Sequence, residues 1–139
     1  MATHWEPLSP QIIKAGIGVQ SNAVKVTAGA VELASARIPE WASFVSVTSA
    51  AATSWIKLPV PVLGNILYIQ EESATGFELR PEAVTQYING TLCDANKELA
   101  CASGVWTLVM ICTVGWSAGK WTQFFLDEDG SLDAGWTPD

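Results

Sequence analysis

Short alternations of apolar and polar residues dominate the chain from Asn22 onward. Ala23-Val24-Lys25-Val26-Thr27 and Phe44-Val45-Ser46-Val47-Thr48 place apolar side chains at every second position, the period of a strand with one buried face. Ser54 to Leu58 follows and ends at Pro59-Val60-Pro61. Asn65 to Gln70, after Gly64, is a nearly continuous apolar run and reads as a strand covered on both faces. Phe77-Glu78-Leu79-Arg80 alternates and stops at Pro81, whose ring removes a ladder donor. Thr85 to Ile88 runs into Asn89-Gly90, a tight-turn pair because both residues tolerate positive φ. Lys97 to Cys101 is a weaker strand, and Val105 to Val114 and Lys120 to Leu126 close the series. Strands at intervals of roughly ten residues predict an all-β fold, an antiparallel β-sandwich of jelly-roll-like form. Ala28 to Ile38 is the one helical competitor, since Val31, Ala34 and Ile38 would share one stripe; it reads as a short helix or an irregular crossover.

The ends of the chain differ from this pattern. Thr3 to Pro10 contains two prolines, which deny a helix, and Gly16 and Gly18 continue the irregularity. Residues 1–20 therefore read as an extended arm carrying Trp5, Leu8, Ile12 and Ile13, or as a first strand tucked into the domain. Residues 21–126 form the sandwich domain and residues 127–139 a short acidic C-terminal tail.

Composition changes the picture in one respect. Apolar residues make up 49% of the 139, but charged residues only 15%, against roughly 25% in an ordinary domain. Seven Trp accompany that low charge, and large aromatics favour the cores of interfaces. The net charge is −7, and Lys14, Lys25, Arg37, Lys57, Arg80, Lys97 and Lys120 are spaced singly along the sequence. Nucleic-acid and anionic-membrane binding both call for concentrated basic residues, so neither is expected. The stretch Gly104 to Gly115 is too short to span a bilayer, and the N-terminus has no apolar core of a signal peptide. Cys93, Cys101 and Cys112 then read as reduced, buried thiols, with a Cys93–Cys101 disulfide left open.

Catalytic constellations do not assemble from these residues. The only imidazole, His4, lies on the arm, and no glycine loop has phosphate-binding spacing. Glu71, Glu72, Glu78 and Glu82 could pair as glycosidase carboxylates, but they read better as charges guarding strand edges. Asp127, Asp129, Ser131 and Asp133 alternate as calcium ligands do; an EF-hand would need glycine where Leu132 stands and glutamate where Pro138 stands. No enzyme activity, cofactor or metal is expected. Trp55, Trp106 and Trp121 lie in strand patterns and belong to the core. Trp5, Trp41, Trp116 and Trp136 stand beside Pro, Gly or Ser and read as anchors for another protein surface, ahead of stacking platforms for sugars or caps on the sandwich ends.

One ordered set of residues carries a resemblance. Leu58-Pro59, Gly64, an apolar strand, Phe77-Glu78-Leu79-Arg80-Pro81, Ile88-Asn89-Gly90, Leu99-Ala100, Val105-Trp106 and a closing aromatic at Trp116 or Trp121 follow one another. Over about residues 55 to 121 this resembles the small β-sandwich modules of tailed-bacteriophage virions, found in capsid decoration (cement) proteins, head fibres and tail appendages. The chain departs from that pattern at Glu71-Glu72-Ser73-Ala74, where Asn and Gly are usual, and at Cys93. The resemblance implies a virion structural protein, made in the host cytoplasm, that binds the outer surface of the major capsid protein's shell and stabilises it. Taken with the arm, the loop tryptophans and the low charge, it favours a homotrimer at junctions between capsomers; the apolar arm and those tryptophans make Trp5, Leu8, Ile12, Ile13, Trp41, Trp116 and Trp136 the expected interface residues. The alternatives are a tail or head-fibre component, or a carbohydrate-binding module, recognising host glycan. A cell-wall hydrolase is the remotest alternative.

Overall fold

The computed structural model describes residues 22–30, 36–94, 97–102, 107–126 and 131–139. Eleven strands and no α-helix occur among them: β1 (Ala23–Thr27), β2 (Phe44–Thr48), β3 (Trp55–Lys57), β4 (Ile66–Glu71), β5 (Phe77–Arg80), β6 (Tyr87–Ile88), β7 (Thr91–Leu92), β8 (Leu99–Cys101), β9 (Thr107–Val114), β10 (Lys120–Leu126) and β11 (Leu132–Asp133). The large sheet runs β1-β2-β4-β9-β10-β6-β7 with β11 also on β10, and the small sheet runs β3-β5-β8. Both sheets feed one apolar core. Val45, Val47, Ile69, Met110 and Trp121 come from the large sheet, and Ile56, Leu79 and Leu99 from the small one. Trp55 and Trp121 are buried as expected, while Trp106 lies outside the described residues.

The sheets are mixed, which corrects the expectation of antiparallel pairing alone. β1 and β2, β2 and β4, β3 and β5, and β6 and β10 all pair in parallel. The cause is the route of the chain: β2, β3, β4 and β5 alternate between the two sheets. In the β2–β4 and β3–β5 pairs the chain leaves one sheet, passes once through the other and re-enters pointing the same way, a crossover that a short hairpin cannot make. Asn89-Gly90 makes such a hairpin between β6 and β7, with φ of 48° and 82°. The Ala28–Ile38 segment is an irregular crossover at both described ends. Gly29 bridges Trp55, Arg37 bridges Lys57, and Ile38 is fully buried. Val31 and Ala34 lie outside the described residues.

β4 also departs from expectation. Leu67 and Ile69 are buried, but Ile66 and Tyr68 face outward and are exposed. Its apolar run is therefore half-covered, and the outer face carries a Phe44–Tyr68 ring pair 6.3 Å apart. The acidic tail is fastened where it is described. β11 pairs Phe125 and Leu126, and the half-buried Trp136 ring lies 5.0 Å from Phe125. Between β6 and β11 the open edge of β10 is completed by the Asn89 amide. It accepts from the Gln123 N–H (2.7 Å) and donates to the carbonyls of Gln123 (3.1 Å) and Trp136 (2.7 Å). Buried strand groups need such partners.

Candidate functional site

Strand directions give the molecule two unlike ends. β1, β2, β4, β6 and β10 start at one end, where β9 finishes. The 58–65 connection brings the end of β3 to the start of β4, and the 81–86 turn brings the end of β5 to the start of β6. Among the described residues the exposed large apolar side chains are Trp41, Val62, Leu63, Ile66, Tyr68, Val84, Leu92, Val114 and Trp116, and all but Tyr68 occupy this end's turns and strand termini. Backbone and side-chain bonds tie the turns together. Trp116 N–H donates to Pro61 O (2.9 Å), and Thr85 Oγ1 donates to Ser117 O (2.6 Å). The described turns of the opposite end, Ser49–Thr53 and Glu71–Thr75, consist of small and polar residues and expose no large apolar side chain.

Trp116 stands out within the apolar end. It has φ 69°, and its side chain is among the most exposed, the residue being 76% accessible. A bulky residue in the left-handed region costs on the order of 1–2 kcal/mol. The turn holds it there through Pro61 O and through Gly119 N–H donating to Trp116 O (2.8 Å). Gly119 must remain glycine, since a Cβ would fall 2.3 Å from the Pro61 ring. The fold thus spends strain to display an indole that its own core does not use. Leu63, 71% exposed, and Trp41, 56% exposed, occupy the same end. Trp136 instead packs on the core, and Trp5, Leu8, Ile12 and Ile13 lie outside the described residues.

Beside this apolar end is a cleft of about 190 Å³, bounded by Trp55, Lys57, Arg80, the Pro81–Val84 turn, Cys93, Asp94 and Lys97. Arg80 lies over the Trp55 ring at 4.1 Å, and Lys57 approaches it at 5.7 Å. Such contacts are worth about 0.5–2 kcal/mol each and fix the guanidinium against the indole face. Arg37 bridges Lys57 through the backbone and ion-pairs with Glu82. Lys120 starts β10 at the same end, 5.4 Å from the Tyr87 ring. Cations spaced singly in sequence are therefore gathered in space, a juxtaposition invisible in the one-dimensional spacing. Their partners in the strands, β3 with β5 and β5 with β8, are what bring Lys57, Arg80 and Lys97 together.

The carboxylates considered for hydrolysis are each engaged by the fold. Glu71 Oε1 accepts from Thr75 N (2.8 Å), Gly76 N (2.5 Å) and Ser73 Oγ (3.1 Å), closing the turn after β4. Glu72 pairs with Lys25 at 2.6 Å; that hydrogen bond, with the ammonium charge behind it, holds its carboxyl below the usual range. Glu78 and Glu98 flank Arg80 at 3.6 and 3.4 Å. Burial, then the like charge of Glu98, raises the Glu78 carboxyl. The three cysteines form no disulfide and are buried, each thiol donating to a nearby backbone carbonyl. Burial pushes Cys93 up to about 11 and raises Cys101 and Cys112 as well. Asp127 and Asp129 lie outside the described residues, and among the described residues no group of three or more His, Cys, Asp or Glu side chains is placed to hold a metal. No described helix is long and apolar enough to cross a membrane.

Comparison with known proteins returns no relative: no family model matches the chain, no curated protein matches its sequence, and no solved structure matches its fold.

Proposed function

We propose that this chain is a structural protein of a tailed-phage virion, of the decoration or cement kind, which seats its apolar end on the outer surface of the capsid shell. In this reading the two sheets are the layers of a jelly-roll-like sandwich, and copies assemble as a trimer over junctions between capsomers. The observation that carries the docking reading is Trp116, held in a strained backbone conformation with its indole presented to solvent. Strain and exposure of that kind point to a surface that is satisfied elsewhere. A desolvated Trp contributes on the order of 2 kcal/mol or more to an interface. Several such contacts linked in one trimer raise avidity further, since each later contact forms at high effective concentration. The turn-and-strand order from Leu58 to Trp121 supplies the virion assignment, by its resemblance to phage modules.

Co-sedimentation of the purified protein with emptied, expanded phage capsids tests the reading. Wild type should pellet with shells and raise their heat resistance, and Trp116→Gly should lose most of that binding while remaining folded. A monomer without affinity for any shell would end the proposal. A second reading, glycan recognition by a fibre or carbohydrate-binding module, gains from Trp41 and Trp116 occupying one end. It requires binding that free oligosaccharide competes away.

A further inference from the structure

The outer face of the large sheet is more apolar than a solvent-facing surface requires. A sheet with one face on a core ordinarily turns polar residues outward on the other. Here the register sets Phe44, Tyr68, Val109 and Phe124 side by side on β2, β4, β9 and β10, an apolar row across four strands. These residues alternate with core residues such as Val45, Leu67 and Met110, so they point away from the core. Ile66 and Ile111 pair in the neighbouring row, towards the apolar end. Tyr68 and Ile66 are exposed, Phe44, Ile111 and Phe124 half-buried, and Val109 is buried between Tyr68 and Phe124 in register.

We propose that residues 13–20 of the same chain lie across this band. Ile13, Ala15, Ile17 and Val19 alternate with Lys14, Gly16, Gly18 and Gln20, which gives an extended segment one apolar side that needs cover. Its attachment point is fixed beside the row. Asn22 O accepts from Ser43 N–H (2.9 Å), Ser43 immediately precedes Phe44, and Ala23 pairs with Phe44. Four strand spacings from β1 to β10 amount to about 19 Å, and eight extended residues reach about 26 Å. The segment is therefore long enough to run from Phe44 to Phe124. Its tether at Asn22 holds it at high effective concentration over its own sheet, which favours this chain over a second copy as the source. The inference assigns Ile13 to the chain's own sheet rather than to a partner, and it does not rest on the docking reading.

The test attaches a nitroxide to the full chain through Lys14→Cys, on the polar side of the segment, the native thiols being buried. Amide NMR signals of the isotope-enriched chain are compared before and after reduction of the nitroxide. Tyr68, Val109 and Phe124 should lose their signals, whereas Leu79 and Ala100 in the small sheet should keep theirs. Ile17→Asp should restore the lost signals, and Gly16→Glu, on the polar side, should leave them lost. Where Ile17→Asp disturbs the rest of the spectrum, the pattern in the parent labelled chain alone decides. A nitroxide-bearing chain without isotope, mixed with an enriched chain lacking nitroxide, should cause no loss. Loss at the same amides in that mixture makes a second copy the occupant and overturns the proposal. So would intact signals at Val109 and Phe124, loss confined to Val24 and Val26 as for a strand added beside β1, or equal effects of the two substitutions. Failure of shell binding would leave this result standing, and an uncovered band would leave the docking reading standing.

Discussion

The two ends of this molecule are built from the same strands and solve opposite problems. At the end holding the 49–53 and 71–76 turns, polar groups are consumed locally. Glu71 closes its own turn, Ser49 N–H donates to Ser73 Oγ (2.7 Å), and Thr75 Oγ1 donates to Ser49 O (2.9 Å). The described turns there satisfy themselves. At the other end Trp41, Leu63, Val84 and Trp116 lie exposed, and the cations of the cleft are gathered beside them. A turn that satisfies itself stabilises the fold, whereas a turn that holds Trp116 strained and exposed stabilises something only when covered. On the proposed docking reading, the contrast assigns the contact surface to one end.

Breaking that contrast calls first for the apolar end. Leu63→Asp combined with Trp116→Gly should lower shell binding by at least about a hundredfold, read by co-sedimentation, with no fall in the urea midpoint. Next comes the opposite end. Glu71→Ala leaves the Thr75 and Gly76 amides without their acceptor and should cost about 1–3 kcal/mol in urea unfolding, while shell binding by the folded fraction stays unchanged. A loss of binding as large as that at the apolar end would erase the distinction. Trp116→Gly alone sharpens it in the other direction: relief of the left-handed backbone should stabilise the isolated protein by about 1 kcal/mol. A stability loss there would mean that the indole serves its own fold.

The smallest effect concerns Glu78, on the small sheet beside Arg80. Its carboxyl is raised from the usual 4.5 by burial and by Glu98. The folded chain therefore binds that proton more tightly than the unfolded chain, and stability falls as pH rises from 4.5 upward through the folded value. Glu78→Gln removes that loss. Its urea midpoint should gain on wild type at neutral pH and lose that advantage in acid below the unfolded value. An advantage confined to acid would reverse the sign and refute it. The thiols make a control for the interior that both ends share. With Cys93 raised to about 11 and all three buried, a thiol reagent at neutral pH should label none of them in the native chain and all three in denaturant.

Much of the strand inventory is legible in the sequence, because half-buried strands leave an alternation that survives any pairing. Phe44–Thr48, Phe77–Arg80 and Lys120–Leu126 are strands where the pattern places them. The Asn89-Gly90 turn is equally legible, since positive φ at both residues selects those types. Alternation does not encode partners. β2 reaches β4 through the other sheet, so their parallel pairing depends on the path of the chain. The apolar run of β4 was misleading for a related reason: a sequence cannot say whether a second layer covers a face, and here Ile66 and Tyr68 stay exposed.

The candidate site divides along the same line. The sequence by itself determined that the chain is all-β, that Trp55 and Trp121 belong inside, and that Trp41 and Trp116 stand in turns, because side-chain period and turn chemistry act over a few residues. Only the tertiary structure decided that Trp41, Leu63 and Trp116 share one end and that Trp136 is drawn onto Phe125. It likewise decided that Lys57, Arg80 and Lys97 close on one cleft. Those placements follow from strand register and crossovers, long-range geometry that is fixed when the two sheets bury a common core and is written in no local stretch of residues.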